Sequence, residues 1–230
     1  NDGLVLPTGE TYRQDLSFDD GPQTITCEAV DAAGNTALAA ANVLVDTTPP
    51  LPFSVTAEPA GWTNNTQPVI SFETTDEGSG IDFYECRVDE GTPYTVSSPH
   101  TLPALSDGEH TVTVTATDRA GWKTSAETTV YIDTTPPAQP AGFKLIPGLS
   151  RMRLAWQQGE ADITGYRITR QNGGVTTEWV VPFAELALIP AGEDNPPFMN
   201  YIDTGLENGS LYTYTLTAID RAGNESGASL

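Results

Sequence analysis

Apolar and polar residues alternate with a period of two along most of this chain. Residues 68–74 illustrate the pattern, because Ile70 and Phe72 alternate there with polar Ser71 and Glu73. Such alternation is typical of a half-buried β-strand. Helical periodicity is scarce, and 21 Gly and 18 Pro punctuate the runs. The pattern therefore predicts an all-β protein of short strands joined by turns.

Two phrases repeat along the chain. A strand-like run leads into Asp-x-Ala-Gly at Asp31, Asp118 and Asp220, and Asp-Thr-Thr-Pro-Pro begins at Asp46 and at Asp133. Both phrases recur after 87 residues, from 31 to 118 and from 46 to 133. That period suits a whole sandwich domain better than a solenoid coil. The sequence therefore predicts three β-sandwich units, at residues 1–49, 50–137 and 138–230.

The first and last units are expected to be incomplete. Unit one has runs only for the last strands of a sandwich, at residues 4–6, 12–18, 23–30 and 37–45. The middle unit has runs at 53–58, 68–74, 81–88, 94–102, 110–117 and 125–132. Unit three stops at Leu230, where its final strand should begin. Either the sequence is a window from a longer chain, or terminal strands complete a neighbouring subunit's sheet in a filament.

Four segments of the middle unit carry a family resemblance. They are CRVDEG at 86–91, SP at 98–99, LSDGEHTV at 105–112 and ATDRAG at 116–121. Together they resemble the bacterial Ig-like repeat of large surface proteins. That family usually ends its last phrase in Gly-Asn, whereas Trp122 replaces the Asn here. The resemblance implies an extracellular setting, and some such repeats are made rigid by calcium between domains.

Residues 138–230 resemble a fibronectin type III domain. Trp156 occupies an early strand, DITGYRI at 162–168 matches the third strand, and LENGSLY at 206–212 leads to Tyr212. The resemblance implies that Trp156 packs in the core and that Tyr212 forms the tyrosine corner. Residues 178–197, which include Trp179, are more than the family needs and suggest a packed insertion or an edge strand.

Charge and composition exclude several classes of protein. The net charge is −21 and acids outnumber bases in every predicted unit, so the surface repels the phosphate backbone of nucleic acids. No apolar run approaches the length of about 18 residues that a membrane span needs. Cys27 and Cys86 fall in different units, so each is expected to be a buried free thiol or to pair outside this segment.

Catalytic motifs are missing from the sequence. His100 and His110 lie in predicted strands, and no Ser or Cys is placed with a His and an acid in a recognisable arrangement. There is no Gly-rich phosphate loop and no Cys or His spacing for a metal. We therefore expect no enzymatic activity in this segment.

Acidic residues provide the strongest candidate site. The loop after a penultimate strand and the end of the preceding domain's last strand meet where two sandwiches join, so carboxylates should converge there. Such clusters repel unless a cation intervenes, and Ca²⁺ takes six to eight oxygen ligands. The alternative is that Asp31, Asp118 and Asp220 only form Asx turns. The candidate ligands are Asp19, Asp20, Asp46, Asp76, Glu77 and Asp118 at the first joint, and Asp107, Glu109, Asp133, Glu160, Asp162 and Asp220 at the second.

Two functions are compatible with this organisation. The first is a stiff spacer, stalk or filament segment of a prokaryotic surface protein that presents a distal module, since Pro-Pro pairs close both joints. The second is an accessory array in a secreted polysaccharide-degrading enzyme, with Trp62, Trp122 and Trp179 as candidate sugar-stacking rings. The expected partners are neighbouring domains or subunits, with polysaccharide or a cell-surface ligand as further candidates.

Overall fold

The computed structural model describes residues 16–189 and 198–230. Within these ranges the regular structure is β-strand, apart from one turn of 3-10 helix at Phe183–Glu185. The all-β prediction is confirmed. The expected strand at 4–6, most of the expected strand at 12–18, and the end of the segment 178–197 lie outside the described residues.

The strands form five sheets in the described part of the chain. Their orders are β1-β2, β3-β5-β8, β4-β10-β9-β6-β7, β11-β12-β16-β15 and β14-β13-β17. The strands are β1 (Gly21–Val30), β2 (Thr36–Val45), β3 (Val55–Glu58), β4 (Trp62–Thr63), β5 (Val69–Phe72), β6 (Ile81–Val88), β7 (Tyr94–Val96), β8 (His100–Thr101), β9 (Gly108–Asp118), β10 (Lys123–Ile132), β11 (Lys144–Gly148), β12 (Arg151–Gln157), β13 (Ile163–Asn172), β14 (Val175–Pro182), β15 (Ala187–Ile189), β16 (Phe198–Thr204) and β17 (Thr213–Asp220).

Strands β1 and β2 form an antiparallel hairpin. Their register runs without interruption from Gly21 opposite Val45 to Val30 opposite Thr36. Almost every side chain of β2 is exposed, and so is Cys27 on β1. Cys27 is therefore not a buried thiol, because no other described strand pairs with this hairpin, and the alternative of a partner outside this segment stays a prediction.

Strand β9 shows how the alternating pattern builds the middle of the chain. Val112, Val114 and Ala116 are fully buried, and polar residues between them are not. Cys86 on β6 is also fully buried, as expected, and burial raises the pKa of its thiol. The core follows directly from the period of two that the sequence displays.

The chain divides into two compact units. The first compact unit contains the described residues up to 55 together with 72–97 and 113–127. The second contains 56–71, 98–112 and the described residues from 128 onward. The sandwich boundaries expected at residues 49 and 137 stay a prediction.

Residues 138–230 have a fibronectin type III-like arrangement. Its two sheets enclose a core around Trp156, which is fully buried and packs edge-on against Tyr166 at 4.9 Å between ring centroids. The backbone N–H of Glu207 donates to the Tyr212 hydroxyl at 3.0 Å, which is the expected tyrosine corner. Ser229 bridges to Leu216 of β17, so the chain already runs beside β17 before it ends.

The expected insertion at 178–197 contributes strands to both sheets of this sandwich. Its first residues complete β14, where Trp179 lies opposite Ile168 of β13. Strand β15 then pairs with β16. The interpretation as edge strands is confirmed for the part of the segment that the structure describes.

Candidate cation site

Three aspartates from separate parts of the sequence meet in the first compact unit. One carboxylate oxygen from each of Asp46, Asp76 and Asp118 lies within 4.8 Å of the other two. Asp46 follows β2, Asp76 lies in the loop between β5 and β6, and Asp118 ends β9. We call these residues the carboxylate cluster. All three were expected to be ligands at the first joint, which we define as residues 46–50.

Asp46 accepts hydrogen bonds from Thr48 within the joint and from Ser79 in the loop between β5 and β6. Its Oδ1 accepts from the backbone N–H and the hydroxyl of Thr48, and its Oδ2 accepts from the backbone N–H of Ser79 at 2.8 Å. The Ser79 hydroxyl and then the Thr48 N–H lower the pKa of Asp46 to about 2. That buried hydroxyl makes no hydrogen bond of its own among the described residues, so it acts as a nearby dipole. Asp46 is therefore ionised at neutral pH.

A tight loop brings Asp76 beside Asp46. The Oδ1 of Asp76 accepts from the backbone N–H groups of Ser79 and Gly80, at 2.9 and 2.8 Å. A Cβ added at Gly78 would lie 2.4 Å from the Asp46 carboxylate, so only glycine allows this approach. Both loop geometry and the choice of glycine therefore serve to place the two carboxylates together.

Asp118 has one oxygen satisfied and one not. Its Oδ1 accepts from the backbone N–H groups of Ala120 and Trp122, at 2.8 and 2.9 Å. Its Oδ2 has no hydrogen-bond partner among the described residues. This oxygen is buried, and the whole residue is only 1% exposed. A buried, unpaired carboxylate oxygen is costly unless a water, a donor or a cation satisfies it.

No basic side chain neutralises the cluster within the described ranges. The Arg119 guanidinium donates to the Ser79 carbonyl oxygen at 3.1 Å and forms no ion pair with the cluster. Three carboxylates within this distance repel one another unless a cation lies between them. Hard oxygen ligands of this kind fit Ca²⁺, with water able to complete its coordination.

Other acids expected at the first joint have different roles. Asp20 accepts from the backbone N–H and the hydroxyl of Thr47, at 3.0 and 2.8 Å. Asp107 repeats this contact 87 residues later with Thr134, at 2.9 and 2.7 Å. We call these two contacts the Asp–Thr clasps. The acids Asp19 and Glu77 are exposed and lie outside the carboxylate cluster.

Acids at the second joint, residues 133–137, do not converge in the same way. Among the residues that the structure describes, no three of them come within cation-binding distance. Asp220 is buried and both of its oxygens accept hydrogen bonds, one from the Asn224 side chain at 2.9 Å. Asp133 accepts from the backbone N–H of Thr135. Glu109 and Glu160 are exposed, and Asp162 is half-buried with one unpaired oxygen.

The three candidate stacking rings have local partners. The Arg221 guanidinium lies 3.6 Å from the centre of the Trp62 ring. The Trp122 ring nitrogen donates to the Asp46 carbonyl oxygen at 3.0 Å. Trp179 lies beside Tyr201, with the Arg170 guanidinium 5.7 Å from its centre. Each ring therefore has a contact with a neighbouring residue, although Trp122 is 46% exposed.

Sequence reasoning identified the three clustered acids but missed the residues that orient them. Trp122 was predicted to be a departure from the family pattern and a candidate sugar-stacking ring, not a donor to the linker, and the Asn224 amide was not considered. The signal was available, since these residues occupy the same position in two copies of one loop. Thr47 and Thr134 were also recoverable from the 87-residue repeat.

The sequence of this chain is similar to parts of larger known proteins. It is 30% identical over 234 aligned residues to Exoglucanase B of Cellulomonas fimi, covering 89% of this chain and 19% of that protein. It is 31% identical over 97 residues to an Amylopullulanase of Thermoanaerobacterium thermosulfurigenes, covering 42% of this chain and 5% of that protein. The chain therefore spans a fifth or less of the relatives that it matches.

Among solved structures, the chicken CNTN1 FN1–FN3 domains are similar at 12% identity and a TM-score of 0.49. That alignment covers 90% of this chain and 73% of that one. No protein-family profile matches the chain. In the part that the structure describes, no helix is long and apolar enough to cross a membrane.

Proposed function

We propose that this chain is a non-catalytic spacer of an extracellular multidomain protein, and that a calcium ion closes its first joint. The observation that carries the proposal is the carboxylate cluster, where Asp118 Oδ2 is buried without a partner. A cation there would tie the end of one predicted sandwich to two loops of the next. The joint would then resist bending and hold the two neighbouring domains in a fixed arrangement.

Hydrogen bonds along the first joint support a spacer role. Besides the Trp122 contact to Asp46, the Thr124 hydroxyl donates to the Pro50 carbonyl oxygen at 2.6 Å. The backbone N–H of Leu51 donates to the Thr75 carbonyl oxygen at 3.0 Å. A linker that is bonded along its length and contains a Pro-Pro pair has little freedom to bend.

The second joint is bonded without an acidic cluster. The Asn224 side chain donates to the Asp133 carbonyl oxygen at 2.8 Å, and the backbone N–H of Asn64 donates to the Ala222 carbonyl oxygen at 3.2 Å. The Arg221 guanidinium over Trp62 is exposed, and cation–π contacts at exposed sites contribute about 0.5–1 kcal/mol. These contacts support stiffness at this joint as well.

An accessory place in a secreted polysaccharide-degrading enzyme is the setting that we favour. The two sequence relatives carry the names of such enzymes, and this chain aligns with a minor share of each. The second candidate is the stalk of a surface protein, which the Ig-like phrases of the middle unit favour. A catalytic domain beside this segment in the full-length protein would favour the enzyme. Further repeats and an anchor would favour the stalk.

The test replaces this segment in the full-length protein by a flexible Gly/Ser linker of equal length. A spacer should leave turnover of a soluble oligosaccharide unchanged and lower turnover of the insoluble polymer, because the modules lose their spacing. A matched protein that keeps the segment serves as the control. Loss of turnover on the soluble substrate would contradict a non-catalytic role, and unchanged turnover on both substrates would contradict the spacer.

A further inference from the structure

Three copies of one loop end the three penultimate strands of the predicted sandwiches. We call residues 31–35, 118–122 and 220–224 the Asp loops. In each, the first residue donates its N–H to the carbonyl oxygen of the fifth, and the N–H of the glycine at position four returns to the carbonyl oxygen of the first. That glycine has φ between +85° and +94°, a conformation that other residues rarely adopt. The loops therefore have one backbone design.

The Asp side chain is held in the same way in all three Asp loops. Its Oδ1 accepts from the backbone N–H groups of positions three and five, at 2.8–2.9 Å. These contacts are the Asx-type turns that the sequence analysis gave as the alternative to a metal ligand. The second oxygen, Oδ2, receives no hydrogen bond from these backbone groups and needs another partner.

Asparagine at position five satisfies Oδ2 in two of the loops. The Asn35 side chain donates to Asp31 Oδ2 at 2.7 Å, and the Asn224 side chain donates to Asp220 Oδ2 at 2.9 Å. The Asn224 amide also donates to the Asp133 carbonyl oxygen. Because an amide NH₂ carries two donors, one side chain can complete the loop and bind the preceding linker.

Tryptophan at position five of the middle loop can make only one of these bonds. An indole ring has a single N–H donor. In Trp122 this donor is used on the Asp46 carbonyl oxygen, which corresponds to the Asn224 bond with Asp133. The bond to Asp118 Oδ2 has no replacement, and that oxygen is the one left buried and unpaired.

We infer that the residue at position five of an Asp loop decides whether a joint requires a cation. Asn224 supplies the second N–H donor at the second joint, and there the amide takes the place of an ion. Trp122 has no second N–H donor at the first joint. Asp118 Oδ2 is therefore available to bind calcium together with Asp46 and Asp76. This inference rests on the cation site proposed above, and it adds that the two joints differ in their metal dependence.

The surrounding acids agree with this division. The Asp loop that lacks the amide is the one beside Asp46 and Asp76, where three carboxylates meet. At the second joint the described residues hold no group of three acids, and both oxygens of Asp220 are already bonded. On this inference each joint satisfies the second oxygen of its Asp loop in one way, by a neutral amide donor at the second joint and by a cation at the first.

In the experiment, calcium is titrated into the unaltered chain and into Trp122→Asn. Binding is measured by titration calorimetry and by tryptophan fluorescence. The new amide should donate to both Asp118 and Asp46, so we expect calcium affinity to fall at least tenfold. We also expect the melting temperature in chelator to rise above that of the unaltered chain. Trp122→Phe, which adds no donor for Asp118, is the matched control and should keep calcium binding.

The outcomes separate this inference from the cation site itself. Calcium binding by the unaltered chain and by Trp122→Asn with equal affinity would overturn the inference and leave the site in place. An unaltered chain that binds no calcium would overturn both. As a second arm, Asn224→Ala should lower the melting temperature equally in calcium and in chelator. An unchanged melting temperature would overturn the role given to the Asn224 amide.

Discussion

At the scale of single residues, the fold depends on donors and acceptors that the chain matches one by one. Tyr212 illustrates this, because its hydroxyl accepts the backbone N–H of Glu207 and so fixes the approach to β17. Asp118 illustrates the reverse, since one of its oxygens is matched and the other is not. A paired polar group stabilises the fold, whereas a buried unpaired one destabilises it unless a water or a ligand supplies the partner.

Removing the Tyr212 hydroxyl should destabilise the last sandwich. Tyr212→Phe keeps the ring and loses the acceptor for the Glu207 N–H, so we expect about 1 kcal/mol less free energy of unfolding in urea. Tyr131→Phe is the control, because the Tyr131 ring packs on Trp62 and its hydroxyl makes no hydrogen bond among the described residues. Equal losses for the two variants would show that the tyrosine corner adds nothing.

A methyl group at Gly78 should disturb the cluster without affecting the core. Gly78→Ala places a Cβ 2.4 Å from the Asp46 carboxylate, so Asp46 must move away from Asp76. We expect calcium affinity, measured by titration calorimetry, to fall at least tenfold. Gly227→Ala is the matched control, since its Cβ would meet nothing within 4 Å. Unchanged affinity in Gly78→Ala would place the ion elsewhere.

At the scale of elements, alternation and turn signals were enough to predict most strands. Strand β9 buries Val112, Val114 and Ala116 because the chain alternates there, and the Asp loops follow because Gly takes a positive φ. The local sequence could not show which carboxylate would lose its partner. That result depends on how many donors the side chain at position 122 carries and on where residue 46 lies in space.

The exposure of β2 agrees with the expectation that the first unit is incomplete, although alternation alone did not predict it. Its run of Ala, Val and Leu indicates a strand, and the structure forms one, but nearly all of its side chains are exposed. Period alone reports which residues share a face of a sheet, and burial depends on what packs against that face. For the same reason, Cys27 is exposed, although a buried thiol was one expectation for it, whereas Cys86 is buried as expected.

The Asp–Thr clasp at Asp107 should make stability depend on pH. Hydrogen bonds from the Thr134 and Thr135 side chains lower the pKa of Asp107, so the clasp stabilises the fold above the ordinary carboxyl pKa. This contribution is lost as the pH falls through the lowered pKa. We expect Asp107→Asn to melt at a lower temperature than the unaltered chain at pH 7, with the difference shrinking below about pH 4. A difference that stays constant with pH would contradict the clasp.

At the scale of the whole molecule, the sequence predicts a series of β-domains, and the segments at residues 46–50 and 133–137 are held by hydrogen bonds from other parts of the chain. The chain aligns with a minor share of the length of each relative that it matches. A strongly acidic surface keeps such an array soluble and concentrates divalent cations near it. The account therefore predicts that calcium alters the stability of the array and does not drive any chemistry.

Chelation should lower the melting temperature of the calcium-loaded chain. An ion that binds only the folded joint stabilises by about 2.7 kcal/mol at a hundredfold excess over its Kd. For a domain of about 90 residues, that corresponds to a shift on the order of 10–20 °C in the transition that includes the first joint. Calorimetric scans in calcium, in magnesium and in chelator measure the shift. Magnesium should replace calcium poorly, because it demands near-octahedral geometry.

Calcium titration of the unaltered chain, Asp118→Asn and Asp220→Asn tests the central claim most directly. Asp118→Asn keeps an acceptor for the loop N–H groups and places an amide where the ion would bind, whereas Asp220→Asn makes the same change at the second joint. The account predicts one calcium ion per chain, retained in Asp220→Asn and lost in Asp118→Asn. No binding to the unaltered chain, or equal binding by all three proteins, would contradict it.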